Sequence, residues 1–106
     1  MKRLEQLQEF LKTDPEDPFL NYAIAIEYVG QEDYIKAKEI LMDLRSKQPE
    51  YVALYYHLGK LFQREGDKVE AENIYRDGIK RTTIARERHH LAELQTALNN
   101  MLYDEE

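Results

Sequence analysis

The residues of this chain best suited to chemistry are three histidines and the carboxylates around them. His89 and His90 stand beside Glu87 and Glu93, and imidazole with carboxylate is a ligand set for zinc and related metals. On a helix, Glu87 and His90 are three apart and share a face, as do His90 and Glu93. A closed site needs further ligands from a second element, and the one remaining imidazole is His57. There is no cysteine to complete a shell or to form a disulfide. These residues therefore read as a polar helix face, and no metal or other cofactor is expected. Covalent catalysis has as little to work with. Ser46 is the one serine, and neither a Gly-rich phosphate loop nor a nucleophile–His–carboxylate set is present. An enzyme is not expected.

Binding is better served. Eight tyrosines are spread through the 106 residues, and an exposed tyrosine is a favoured interface anchor. Lys80, Arg81, Arg86 and Arg88 form a short basic patch, in which a helix C-terminus complemented by cations would explain Lys80 and Arg81. The patch lacks interleaved stacking aromatics, and the net charge is −6, so nucleic acid is not an expected partner. No apolar run approaches the length of a membrane span. Met1-Lys2-Arg3-Leu4-Glu5-Gln6 is not followed by an apolar core segment, so no signal peptide is expected and a cytoplasmic location is the default.

The elements that must position these residues all read as helices. With 42% hydrophobic and 34% charged residues, the composition suits one helix-rich domain. Residues 1–13 carry Leu4, Leu7, Phe10 and Leu11 on one side, and Asp14-Pro15 ends that helix. Asp17-Pro18 is an N-cap followed by a first-turn proline. The helix that follows runs to about Val29, with Gly30 as its stop. Asp33 caps a helix with Tyr34, Ala37, Ile40, Leu41 and Leu44 on one face, closed by Pro49. A fourth helix runs from about Tyr51 to Glu65 and stops at Gly66. Asp67 then caps a fifth, carrying Val69, Ala71, Ile74, Tyr75 and Gly78. Thr82-Thr83 break the rhythm weakly, and a last helix from about Ile84 to Tyr103 carries Leu91, Leu94, Leu98 and Met101 or Leu102. The tail Asp104-Glu105-Glu106 is expected to fray.

Within the fourth helix, Tyr55, Leu58, Gly59 and Phe62 fall at i, i+3, i+4 and i+7 on one face. A mid-helix glycine costs about 1 kcal/mol relative to alanine, so another helix is expected to approach closely there. The face recurs 34 residues earlier as Asn21, Ile24, Ala25 and Tyr28. The same step pairs Ala37 with Ala71, Leu41 with Tyr75 and Leu44 with Gly78, and reaches back to Leu7, Phe10 and Pro15. In period and residue types this resembles the tetratricopeptide repeat. The departures are Asn21 where an aromatic is usual, Thr83 for the closing proline, and Arg3 at a small-residue place.

The resemblance implies an all-α fold of antiparallel helix-pair repeats, stacked as a short right-handed α-solenoid with a C-terminal capping helix. Residues 1–15 would be half of a preceding repeat, 18–51 and 52–85 two full repeats, and 86–103 the cap, fitted best with a slip of two residues. It also implies protein binding in a concave groove lined by the first helix of each pair. Carried over residue by residue, that groove holds Phe19, Tyr22, Ala23, Ile26 and Val29 in the first repeat. The second supplies Ala53, Tyr56, His57, Lys60, Gln63 and Arg64, and the cap His89, Ala92, Glu93 and Thr96. The apolar upstream part and the cations Lys60 and Arg64 suggest a partner with an apolar stretch and an acidic end. A clamp for a C-terminal carboxylate is not expected, because Tyr22, Ile26 and His57 occupy its places. The alternative is a self-assembling module, a homodimer formed through half-capped ends that expose Leu4, Leu7 and Phe10 on one side.

Overall fold

A computed structural model describes residues 2–103. Those residues form six helices and no strand: α1 Arg3–Thr13, α2 Pro18–Gly30, α3 Tyr34–Lys47, α4 Leu54–Arg64, α5 Lys68–Ala85 and α6 Arg88–Tyr103. The fraying expected of the tail falls outside the described residues. The chain divides into two compact units between Tyr51 and Val52. The first holds α1, α2 and α3, and the second α4, α5 and α6.

Aspartates start three of the helices. Asp17, Asp33 and Asp67 accept the backbone N–H three residues on, at 3.0, 3.3 and 3.1 Å, each satisfying one donor that a helix leaves unpaired. The turns between paired helices are equally repetitive. Asp33 N–H donates to Tyr28 C=O at 2.9 Å and Asp67 N–H to Phe62 C=O at 3.0 Å, the closing bond of a Schellman turn. That turn needs one residue with positive φ, and these are Glu32 (φ 63°) and Gly66 (φ 86°). Each aspartate thus closes one helix and caps the next.

Gly30 is therefore not the left-handed residue that stops α2. It is the last residue of α2, so the helix ends where expected, but with open space where a Cβ would stand and no positive φ; Glu32 takes the left-handed place of its repeat counterpart Gly66. A third turn of the same kind joins α5 to α6. Arg86 adopts φ 60° and Glu87 N–H donates to Thr82 C=O at 2.9 Å. The break thus falls after Ala85 and not at Thr82-Thr83, and both threonine hydroxyls donate back to Ile79 C=O, at 3.0 and 2.8 Å. Such back-bonding satisfies the hydroxyls within the helix. Ile84 consequently belongs to α5, where it is exposed. Lys80 and Arg81 lie more than a turn inside α5, so the helix-end explanation for them fails; Arg81 pairs instead with Asp77 at 3.2 Å. At α4 the helix begins at Leu54, three residues later than expected, and no side chain caps it at Ala53.

In the first unit Leu7, Ala23 and Ile24 form a buried cluster, with Leu4, Leu11, Leu20, Tyr28 and Ile40 against it. Phe10, expected on the same side, is 62% exposed. Ala25, Ala37, Leu41 and Leu44 complete the packing of α2 on α3. In the second unit the α4–α5 contact is built on two tyrosine–glycine pairs. The Tyr75 ring lies against Gly59, and Tyr55 Cβ would stand 2.6 Å from a Cβ at Gly78. Both tyrosines are fully buried, and the Tyr75 hydroxyl donates to Gln63 Oε1 at 2.9 Å. Burial pushes the Tyr75 hydroxyl's pKa well up, with Tyr56 a lesser cause. Val69 does not share this face and is exposed. Residues two apart on a helix do not face the same way, and its neighbour Ala71 is the buried one. Leu94, Ala97, Leu98 and Met101 seat α6, with Leu91 half-buried at its start.

Candidate functional site

The second unit carries an open cleft of about 350 Å³ between α4 and α6, lined by Tyr56, Lys60, His89, Ala92, Glu93, Thr96, Ala97 and Asn100. Its construction follows from helical spacing. Tyr56 and Lys60 are four apart on α4, and His89, Glu93, Thr96 and Asn100 step along α6 at intervals of three and four, so each set makes one stripe. Leu58 and Leu61 of α4 and Leu94 and Ala97 of α6 are buried.

The polar groups are distinct in kind. Lys60 Nζ lies 5.6 Å from the centroid of the Tyr56 ring, within cation–π range. The Tyr56 ring meets the His57 imidazole edge-on at 5.2 Å. Glu93 Oε2 is 3.3 Å from His89 Nε2. Glu93 also acts on half-buried His57. Burial pulls the His57 imidazole below its ordinary pKa, and the Glu93 charge partly opposes that. His90 Nδ1 lies 3.6 Å from Glu87 Oε1 without a hydrogen bond, so the close imidazole–carboxylate contacts here are His89–Glu93 and His90–Glu87, not His90–Glu93. Among the described residues no three His, Asp or Glu side chains converge as a metal site would require.

Of the residues inferred from the sequence, Tyr56, Lys60, His89, Ala92, Glu93 and Thr96 meet on this cleft, whereas half-buried His57 does not line it. Arg64, in the last turn of α4, is exposed, and Ala53 precedes the helix; neither lines the cleft. Ala97 and Asn100 are additional lining residues, and continuing the stripe from Glu93 by four and then three would have found them. In the first unit Phe19 is 55% exposed and Ile26 half-buried. Tyr22 packs its ring on Tyr51 at 5.7 Å, and burial, with the Asp17 charge second, raises the Tyr51 pKa. Ala23 is 7% exposed, because it packs on Leu7 of α1, and offers little surface to a partner.

No family model and no curated protein sequence matches the chain. Solved structures do. The crystal structure of a tetratricopeptide repeat domain protein from Salinibacter ruber is 34% identical, with a TM-score of 0.81, and the match covers 84% of this chain and 100% of that one. The chain belongs to the tetratricopeptide repeat family. A solution structure of a tetratricopeptide repeat domain protein from the same organism is 38% identical over 80% of this chain and 86% of that one, with a TM-score of 0.75. A protein from Bordetella parapertussis, 21% identical, shares the fold with a TM-score of 0.83 over 98% of this chain and 90% of that one. The fold is thus the all-α tetratricopeptide repeat, a helical module generally used for protein interaction. Among the described residues no helix is long and apolar enough to cross a membrane.

Proposed function

We propose that this tetratricopeptide repeat protein is an interaction module that binds a segment of a partner protein in the cleft between α4 and α6. The observation that carries this is the cleft itself, which combines an aromatic face, small apolar residues and one lysine on an open surface. Tyr56 is the anchor, since a half-buried tyrosine offers large contact area with few torsions to freeze. Lys60 supplies orientation and charge. On α2 of the first unit, Phe19, Tyr22 and Ile26 are the proposed contacts. No catalytic role is assigned, and the proposed setting is the cytoplasm.

Affinity capture from the source cell with parent, Tyr56→Ala and the exposed control Asn73→Ala tests this reading. Losing a hot-spot tyrosine costs about 2 kcal/mol or more, roughly thirtyfold in affinity. A partner retained by parent and control should be lost by Tyr56→Ala, with the helical circular-dichroism signal unchanged. Equal retention by all three refutes the cleft as the binding surface. A homodimer is the second reading, favoured by exposed Phe10 on α1. Twice the monomer mass in sedimentation at low concentration, abolished by Phe10→Gln, would establish it.

A further inference from the structure

The repeat leaves two helix faces open, and they are of opposite kind. α3 and α5 are the second helices of their pairs, each packed on a first helix, α2 and α4. A step of 34 residues back from α3 makes α1 a second helix too, with Leu7 at the place of Leu41 and Phe10 at that of Leu44. Leu44 and its counterpart Gly78 are buried, whereas Phe10 is 62% exposed, and among the described residues no first helix precedes α1. α6 is a first helix. A step of 36 residues from α4 puts Leu91, Leu94 and Leu98 at the places of Tyr55, Leu58 and Phe62, and Leu94 and Leu98 are buried as their counterparts are. Tyr55 is buried as well, but Leu91 is only half-buried, and among the described residues no second helix follows α6. Leu91 opens on a hollow of about 330 Å³ that it shares with Thr82, Thr83 and Arg88.

The internal pairs fix how a first and a second helix meet. In the second unit Tyr75 lies against Gly59 and Gly78 against Tyr55, so contacting positions run in opposite directions along the two helices. Carried to the open faces by the same steps, this register sets Gln95 against Leu7 and Leu91 against Phe10. One turn further along it sets Arg88 against Asp14. Phe10 is then a knob, and the hollow at Leu91 has room for its ring. Arg88 and Asp14 are opposite charges, and neither enters an ion pair among the described residues. Arg3 and Gln95 stand where the internal pairs have the small residues Ala37 or Ala71 and Ala25 or Gly59. Larger side chains hold two helices further apart, so this contact is looser than the internal ones and reversible.

We infer that copies of this chain associate head to tail, α1 of one copy docking beside α6 of the next as the second helix that α6 lacks. Contacts between unlike faces need not close at a dimer; a homodimer through Phe10 would instead pair α1 with α1. The inference is independent of the cleft reading, since the cleft uses His89, Glu93, Thr96 and Asn100 of α6, a different stripe from Arg88, Leu91 and Gln95. Sedimentation equilibrium of the whole chain from about 10 μM to about 1 mM tests it, with two variants that each lose one face. Phe10→Asp removes the knob and leaves α6 intact. Arg88→Glu combined with Gln95→Glu spoils the α6 face through exposed residues and leaves α1 intact. The parent's mass should climb past that of a dimer as concentration rises. Each variant alone should stay monomeric where the parent associates, with its helical circular-dichroism signal unchanged. Mixed in equal amounts, the two should form a dimer and nothing larger, because each keeps the face that the other has lost. A parent that stays monomeric at about 1 mM overturns the inference, as does association that survives in either variant alone. A parent that stops at a dimer, or a mixture that stays monomeric, overturns it too, and both leave the cleft reading standing.

Discussion

Gly59→Ala is the most informative single-atom change in this molecule. A Cβ at position 59 would stand 2.6 Å from Cδ1 and 2.8 Å from Cζ of Tyr75, and nearer still to Cε1. Carbon atoms at optimal contact are about 3.5–4.0 Å apart, so roughly 1 Å of overlap must be relieved. The ring cannot simply swing away, because Tyr75 is fully buried and its hydroxyl is tied to Gln63. Overpacking of this kind costs about 1–3 kcal/mol, and the gain in helix propensity returns about 1 kcal/mol. The net expectation is a loss of about 0–2 kcal/mol, with Gly59→Leu worse. The first unit shows what would rescue it. At the same repeat places it has Ala25 and Leu41, both fully buried, so one more carbon on the first helix goes with a smaller residue on the second. Tyr75→Leu alone should leave a cavity and cost about 2–4 kcal/mol. The double variant should lose less than the two single losses combined, with a coupling of about 1–3 kcal/mol in urea unfolding. Additivity within about 0.5 kcal/mol, or a Gly59→Ala protein more stable than the parent, would refute the tyrosine-in-glycine packing.

The remaining expectations concern turns and titration. Gly30→Ala should stabilise by about 0.5–1 kcal/mol, since Gly30 is helical with open space around it; thermal unfolding reads this directly. Gly66→Ala should cost about 1 kcal/mol because of its φ of 86°, while Glu32→Gly should leave stability equal or higher. His57 has its pKa lowered by burial, so the unfolded chain takes up its proton first. Stability is then full above the ordinary imidazole range and falls as pH drops through it from about 6.5. Urea midpoints measured across that range should decline in the parent and decline less in His57→Gln. A His57→Gln profile as steep as the parent's would point to a different group.

What the sequence determined by itself is the part carried by local chemistry and period. Three aspartate caps, the 34-residue step and the small residues Ala25, Ala37, Gly59, Ala71 and Gly78 place six helices and their packing faces. Each follows from bonds or contacts within a turn or between helices adjacent in the chain. The stripe His89, Glu93, Thr96 was legible for the same reason, once the two-residue slip was allowed. Tertiary structure decided the rest. That Glu32 and not Gly30 takes the left-handed turn depends on where α3 must begin packing, which overrides glycine's local preference. Thr82-Thr83 stay helical, with Thr82 buried and both hydroxyls on Ile79, an outcome that β-branching alone does not reveal. Ala23 is covered by Leu7 while Phe10 is left outside, since the angle of α1 on α2 cannot be read from α1's own apolar stripe. Only the approach of α6 to α4 brings Glu93 to His57 and Lys60 to the wall opposite Asn100. Residues some forty apart become neighbours through packing, and no spacing rule within one helix contains that distance.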